Sequence, residues 1–381
     1  MINRRLFMAS ASAFACAPVA SGLAQQVAKP SLLPVTMGLG HPWGMVFLPD
    51  GTLLVSERPG RLRHLSLRDA KLSAPVAGIP PVDADGQGGL LGLAVDPDFT
   101  SNRLVYMSFS EAREGGNATA VYRGRLKEDV SALKDGRVIF RQNMAKASSA
   151  HFGSRLVFDR EGHLFVTTGD RSSFPEEAQN PASHLGKVLR ITRDGEPAPG
   201  NPELAGWARE VWSIGHRNVQ GAALHPESGQ LWTAEHGARG GDEINTPQAG
   251  RNYGWPIITY GRDYSGSAIG EGSAKEGMEQ PLHYWDPSIA PSGMTFITKD
   301  IYPGWKGSLF VGALAGSHLT RLNFNGTRLA SEEKLFDGIA RFRDVVEGPD
   351  GRIFVLTDGA QSDGGLYVIA APGEATSSTR P

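Results

Sequence analysis

The chain has 381 residues, with 38 basic and 40 acidic side chains and a formal net charge of −2. That near balance offers no electrostatic footprint for nucleic acid. Glycine accounts for 48 positions and cysteine for one; glycine usage this far above the roughly 7% of average proteins argues for many tight turns and against a helical bundle.

The predicted elements begin with a segment outside the fold. Arg4-Arg5 precede an apolar, small-residue stretch from Leu6 to Ala20, and Gly22-Leu23-Ala24 before Gln25 has the form of a cleavage site, so residues 1–24 read as an export signal. Asn3-Arg4-Arg5-Leu6-Phe7-Met8 resembles a twin-arginine signal, although paired arginines also occur in ordinary secretory signals. Export predicts a periplasmic protein. Removing these residues takes away two arginines and no acid, so −2 becomes −4, and it removes Cys16, the sole cysteine. The remainder then has no thiol for catalysis, disulfides or metal binding. No later apolar run reaches membrane-spanning length, so no stable membrane insertion is expected.

From Gly44 onward a short apolar run, a turn and an alternating strand recur six times. The copies are Gly44–Phe47 with Leu53–Ser56, Gly92–Val95 with Leu104–Met107, Arg155–Phe158 with Leu164–Thr167, Gly221–Leu224 with Leu231–Ala234, Gly293–Phe296 with Ser308–Val311, and Asp344–Glu347 with Ile353–Leu356. Turn formers such as Pro49-Asp50-Gly51, Glu227-Ser228-Gly229 and Pro349-Asp350-Gly351 separate the halves. Hairpins repeated at such intervals predict an all-β, six-bladed β-propeller over residues 25–372, with 373–381 as a disordered tail. The ring is expected to close by pairing of the region around Val35–Gly38 with Gly365–Ala370 or its neighbours.

Two motifs mislead. Gly86-Gln87-Gly88-Gly89-Leu90-Leu91-Gly92 suggests a dinucleotide fingerprint, but Leu91 stands where its third glycine belongs, and the motif precedes a strand instead of following one. Asp83-Ala84-Asp85-Gly86 opens like a calcium loop, yet Ala94 occupies the place of the closing glutamate. A polar turn entering a blade is the simpler reading.

Polar groups at propeller strand ends converge on the mouth of the channel, so one site draws on residues far apart in sequence. The candidates at those ends are Gln87, His151, Asp170, His216-Arg217-Asn218, Glu235-His236-Gly237-Ala238, Arg341 and Arg343. Singly, each has a bland reading as a surface charge or a structural histidine.

Together with their surroundings they carry a resemblance. Asp85–Gly92, His151–Leu156, Thr168-Gly169-Asp170, Gly215–Gly221, Gly241–Asn245 and Asn252–Pro256 resemble segments of the soluble pyrroloquinoline quinone (PQQ)-dependent sugar dehydrogenases, nearest the periplasmic aldose sugar dehydrogenase branch. The similarity runs in order from about Gly38 to Ala370. It implies oxidation of an aldose to its lactone, with PQQ and Ca²⁺ as cofactors and a quinone or cytochrome as electron acceptor. His151 matches the general base, a role suited to imidazole, whose unperturbed pKa is roughly 6.5. Asp170 matches the carboxylate that orients it. Arg217 matches the cation over the quinone oxygens, with Asn218 beside it and Gln87 at the reacting end. Arg341 and Arg343 match a pair that binds the carboxylates of PQQ; two residues apart on a strand, they leave on one face. The resemblance assigns calcium to the carbonyls of Gly237 and Ala238, where side-chain identity is expected to matter little. Trp285 is a candidate wall for cofactor or sugar, with core packing as its other reading.

One departure stands out against the glucose-dehydrogenase relatives. Where they place a lysine against the cofactor, this chain reads Ala313-Leu314-Ala315-Gly316-Ser317-His318, leaving His318 or the arginines to compensate. A calcium-dependent lactonase on the same architecture and a sugar-binding propeller without catalysis are the alternatives. Three arginines at an anion site speak against the first, and the set His151, Asp170 and Arg217 against the second.

Overall fold

A computed structural model describes residues 30–359 and 363–372. The expected export signal and the expected tail beyond residue 372 lie outside the described residues. Six four-stranded antiparallel sheets are arranged as a ring, the first strand of each neighbouring the first strand of the next. Blade one begins with Pro42–Phe47, blade two with Leu90–Val95, blade three with Leu156–Phe158, blade four with Val219–Leu224, blade five with Pro291–Phe296 and blade six with Phe342–Glu347. Every hairpin expected from the sequence forms the first two strands of a blade.

Blade six takes its fourth strand from the other end of the chain. Leu32–Leu39 pairs with Gly364–Ile369 in a register running from Leu32↔Ile369 to Leu39↔Gly364. The ring thus closes with the strands expected.

The glycine that opens most copies of the repeat marks a bulge. Register shifts interrupt the first strand at Pro42/Gly44, Leu90/Leu93, Val219/Gly221, Pro291/Met294 and Phe342/Asp344. A bulge frees ladder groups, and hydroxyls from the second strand satisfy them. Ser56 accepts from the Gly44 N–H at 3.0 Å, Ser108 from that of Gly92 at 2.8 Å, and Thr167 from that of Arg155 at 2.9 Å. The same oxygens then donate across the blade junction, to the carbonyls of Leu91 (2.6 Å), Ser154 (2.6 Å) and Val219 (3.2 Å). The other three junctions use His236 on the Pro291 carbonyl (2.8 Å), Ser292 on that of Phe342 (2.6 Å), and Asp344 accepting from the Met45 N–H (2.9 Å). Blades approach so closely here that a Cβ on Gly92 would lie 2.1 Å from the Ser154 carbonyl oxygen.

Apolar side chains fill each junction between blades. The clusters are broad, except between blades three and four, where Phe165, Val188 and Leu231 are the fully buried members. Beside this thin junction lies a cavity of about 420 Å³, bounded by Asp159, Arg190, Trp212 and the turn at Ser228–Gln230. Within each blade the segment entering the first strand and the segment leaving the second share one end of the ring, which sets the position of the site.

Candidate active site

His151 enters the mouth on the loop leading into blade three. Its φ of 52° is a left-handed conformation that non-glycine residues rarely adopt. Gln87 stabilises this turn, its Oε1 accepting the His151 N–H at 2.9 Å. Gly169 is required behind it, because a Cβ there would stand 2.1 Å from the His151 carbonyl oxygen. Asp170 leaves the second strand of the same blade, and its Oδ1 lies 2.7 Å from His151 Nδ1. The same carboxylate accepts the Ser172 N–H at 2.7 Å through Oδ1 and the Trp255 indole N–H at 2.8 Å through Oδ2. Asp170 is fully buried with both oxygens bonded, so it fixes the tautomer that leaves His151 Nε2 free as an acceptor.

Burial lowers the His151 pKa, the bond to Asp170 raises it, and the nearby Arg217 charge lowers it again; the net shift is downward. The ring is therefore neutral at neutral pH.

Arg217 and Asn218 come from the segment entering blade four. The Arg217 N–H donates to Glu235 Oε2 at 2.8 Å, its guanidinium donates Nη1–H to the Gly237 carbonyl, and it lies 5.1 Å from the centre of the Trp255 ring. Asn218 Oδ1 accepts the Gly153 N–H at 3.1 Å and ties blade four to the loop that carries His151. Gln220 continues the chain of contacts, donating to the Gly153 carbonyl at 3.1 Å while its Oε1 accepts from Arg343 Nη1 at 3.1 Å. Arg343 and Arg341 both reach Asp358 Oδ2, each at 3.5 Å. The contacts thus run unbroken from Gln87 through His151 and Asp170 to Arg343 and Arg341. Burial, and then the charges of Arg217, His151 and Arg343, push the His236 pKa to about 3.

The two arginines do converge on one anion, but that anion is internal. Burial pushes the Asp358 carboxyl up, yet Arg343, Arg341 and Arg58 outweigh this and hold it below the usual carboxylate range. Burial also lowers the Arg343 guanidinium to about 10 against the opposing pull of Asp358.

Two expectations change, and the one at His318 stays open. Trp285 is 6% exposed in the core between blades four and five, its indole N–H on Glu332 at 2.9 Å, so it is no wall of the mouth; Trp255 stands there instead. Side-chain identity does matter at Gly237, where a Cβ would meet the Gly240 carbonyl oxygen at 2.2 Å. His318 is buried with Nδ1 on the Gly316 carbonyl at 2.9 Å, and its Nε2 has no partner. Trp255, Gln220 and Asp358 were not singled out from sequence. The first two lay inside motifs already conspicuous, and Asp358 follows the second strand of its blade just as the Gly169-Asp170 segment does.

The site fits an anionic, metal-assisted cofactor in its donor set. Arg217 Nε and Arg343 Nε are buried N–H donors without acceptors among the described residues, as a polyanionic ligand requires. The turn bearing the Gly237 and Ala238 carbonyls is fixed by Asp242, which accepts the Gly237 N–H at 2.8 Å and those of Ile289 and Ala290 at 2.8 Å.

Fold and mouth together define a six-bladed propeller with a His–Asp pair set among buried arginines. Residues 39–368 match the family model for glucose / sorbosone dehydrogenases. The chain is 44% identical to aldose sugar dehydrogenase YliI of Escherichia coli over 87% of its own length and 90% of that protein's. It superposes on a crystal structure of glucose dehydrogenase with a TM-score of 0.87 at 46% identity, covering 90% of this chain and 100% of that one. It superposes on the PQQ-bound aldose sugar dehydrogenase of Streptomyces coelicolor with a TM-score of 0.75 at 30% identity, covering 90% and 99%. The chain belongs to the glucose/sorbosone dehydrogenase family.

Proposed function

We propose that the protein oxidises aldose sugars at the anomeric carbon to lactones, with PQQ and calcium as cofactors, and delivers the electrons to a respiratory quinone or cytochrome in the periplasm. The observation that carries this reading is the 2.7 Å His151–Asp170 pair beside buried guanidiniums whose Nε–H groups lack acceptors. A base and an anion site adjoin.

His151 Nε2 takes the proton of the anomeric hydroxyl, and Asp170 stabilises the imidazolium that results. A PQQ held here by Arg217, Arg341 and Arg343 would supply the quinone that takes up the hydride, with its two electrons, leaving the anomeric carbon. Arg217 supplies a permanent positive charge near the group that gains electrons, and Trp255 holds both Arg217 and Asp170 in place from one side. Arg341 and Arg343 bind cofactor carboxylates, Asn218 lines the cofactor edge, and the Gly237 and Ala238 carbonyls are hard oxygen ligands suited to calcium. Gln87 supports the base from behind and, being exposed at the mouth, offers its amide to the sugar. Among the described residues no helix is long and apolar enough to cross a membrane.

The test is to load purified protein with calcium and PQQ and follow reduction of an artificial acceptor by a panel of aldoses. Dye reduction that requires PQQ and sugar is expected. Lactone hydrolysis without dye reduction would support the lactonase alternative and overturn this reading.

A further inference from the structure

A fourth arginine stands at the same mouth. Arg58 leaves the second strand of blade one, the position that Asp170 occupies near the end of its strand in blade three and Asp358 in blade six. Its N–H donates to the His41 carbonyl at 3.0 Å, and its own carbonyl accepts the Leu90 N–H at 3.0 Å. His41 in turn binds the Gly359 carbonyl at 3.0 Å through its N–H and approaches Asp358 Oδ1 at 3.9 Å. On the other side Arg58 Nη1 donates to the Gly86 carbonyl at 2.8 Å, next to Gln87. The side chain is thus held on the Gln87 loop, at the reacting end, while the backbone connects through His41 to the Asp358 cluster.

Two features call for a ligand here. Arg58 Nε is buried with no acceptor, as are Nε of Arg217 and Arg343. Asp358 is shared by Arg341 and Arg343 at 3.5 Å each, so these two guanidiniums outnumber the carboxylate they meet, and among the described residues no salt-bridge partner is found for Arg58. Arg155 does not add to this surplus, because Asp344 neutralises it at 3.0 Å.

We propose that Arg58 is a third anion-binding residue of the site, engaging a carboxylate of the quinone cofactor together with Arg341 and Arg343. The inference rests on the reading of the mouth as a PQQ site. A cofactor with three carboxylates needs more than one arginine pair, and the missing lysine before blade five's third strand increases that need.

The test measures equilibrium binding of PQQ to cofactor-free protein at fixed calcium, with PQQ trimethyl ester as a second probe. Arg58→Gln should weaken PQQ binding by roughly 10- to 100-fold, the loss of one hydrogen bond to a charged group. Binding of the ester should change little, and Arg58→Lys should recover part of the affinity. Equal losses for acid and ester would reveal a scaffolding role and overturn the proposal. So would unchanged PQQ binding by Arg58→Gln beside weakened binding by Arg343→Gln, with the cofactor reading intact. If the wild type binds no PQQ, the functional reading falls and this inference with it.

Discussion

The side chains of the mouth divide by what they touch, and the division predicts separable defects. His151→Ala removes a base that bonds no arginine, so kcat should fall by roughly 10²- to 10⁴-fold while PQQ binding persists. Arg343→Ala removes a buried cation, so cofactor retention should drop and excess PQQ should restore much of the rate. Rescue of the His151 variant by added PQQ, measured in the same dye assay, would reverse the two roles. The protonation of His151 offers an independent check. Burial and Arg217 lower its pKa and the Asp170 bond opposes them, so in cofactor-free protein the ring should titrate below roughly 6.5, the value of a free imidazole. Asp170→Asn should move the midpoint lower still, because it removes the influence that raises it. An NMR titration in which the midpoint rises would contradict this account. At this scale sequence singled out His151 and Asp170 because they stand at blade-strand ends inside segments that resemble a known family, and the structure brings the two together. Sequence was silent on Gln220, Arg58 and Asp358, whose roles depend on partners from another blade. Trp285 could have been assigned to the core, since it alternates with exposed Tyr284 on a short outer strand.

At the scale of strands, the bulge and its hydroxyl form one device. Ser108 accepts from Gly92 on one side and donates to Ser154 on the other, so Ser108→Ala orphans a buried donor and a buried acceptor together. It should destabilise the protein by about 1–3 kcal/mol in urea unfolding, and a change below ~0.5 kcal/mol would show that the bridge contributes little. Gly92→Val should cost more, since nothing at the Ser154 carbonyl can retreat from the added carbons without moving a blade. First and second strands were legible because they are buried and bounded by turn formers. Outer strands were not, because burial fades towards the rim: Arg328–Leu335 is mostly exposed and Lys71–Leu72 has two residues. Alternation has no physical cause where both faces meet water.

For the whole ring, the thin junction between blades three and four is the place where packing contributes least. It also divides the His151–Asp170 pair from Arg217. Hydrogen exchange should be fastest among blade junctions along Leu156–Phe158 and Val219–Leu224, and a substitution that fills the adjoining 420 Å³ cavity, such as Ser228→Leu, should slow it. Uniform protection around the ring would show that the polar stitching at the mouth makes up for the sparse core.

The strand borrowed by blade six gives synthesis an order. Arg341, Arg343 and Asp358 belong to the blade made last, and that blade is finished only when Leu32–Leu39, made first, docks against Gly364–Ile369. His151 and Asp170 come from blade three, so the base pair and the arginine pair are supplied by stretches of chain made at different times. A chain ending before Phe342 would lack Arg343, Asp358 and the partner strand of Leu32–Leu39 at once.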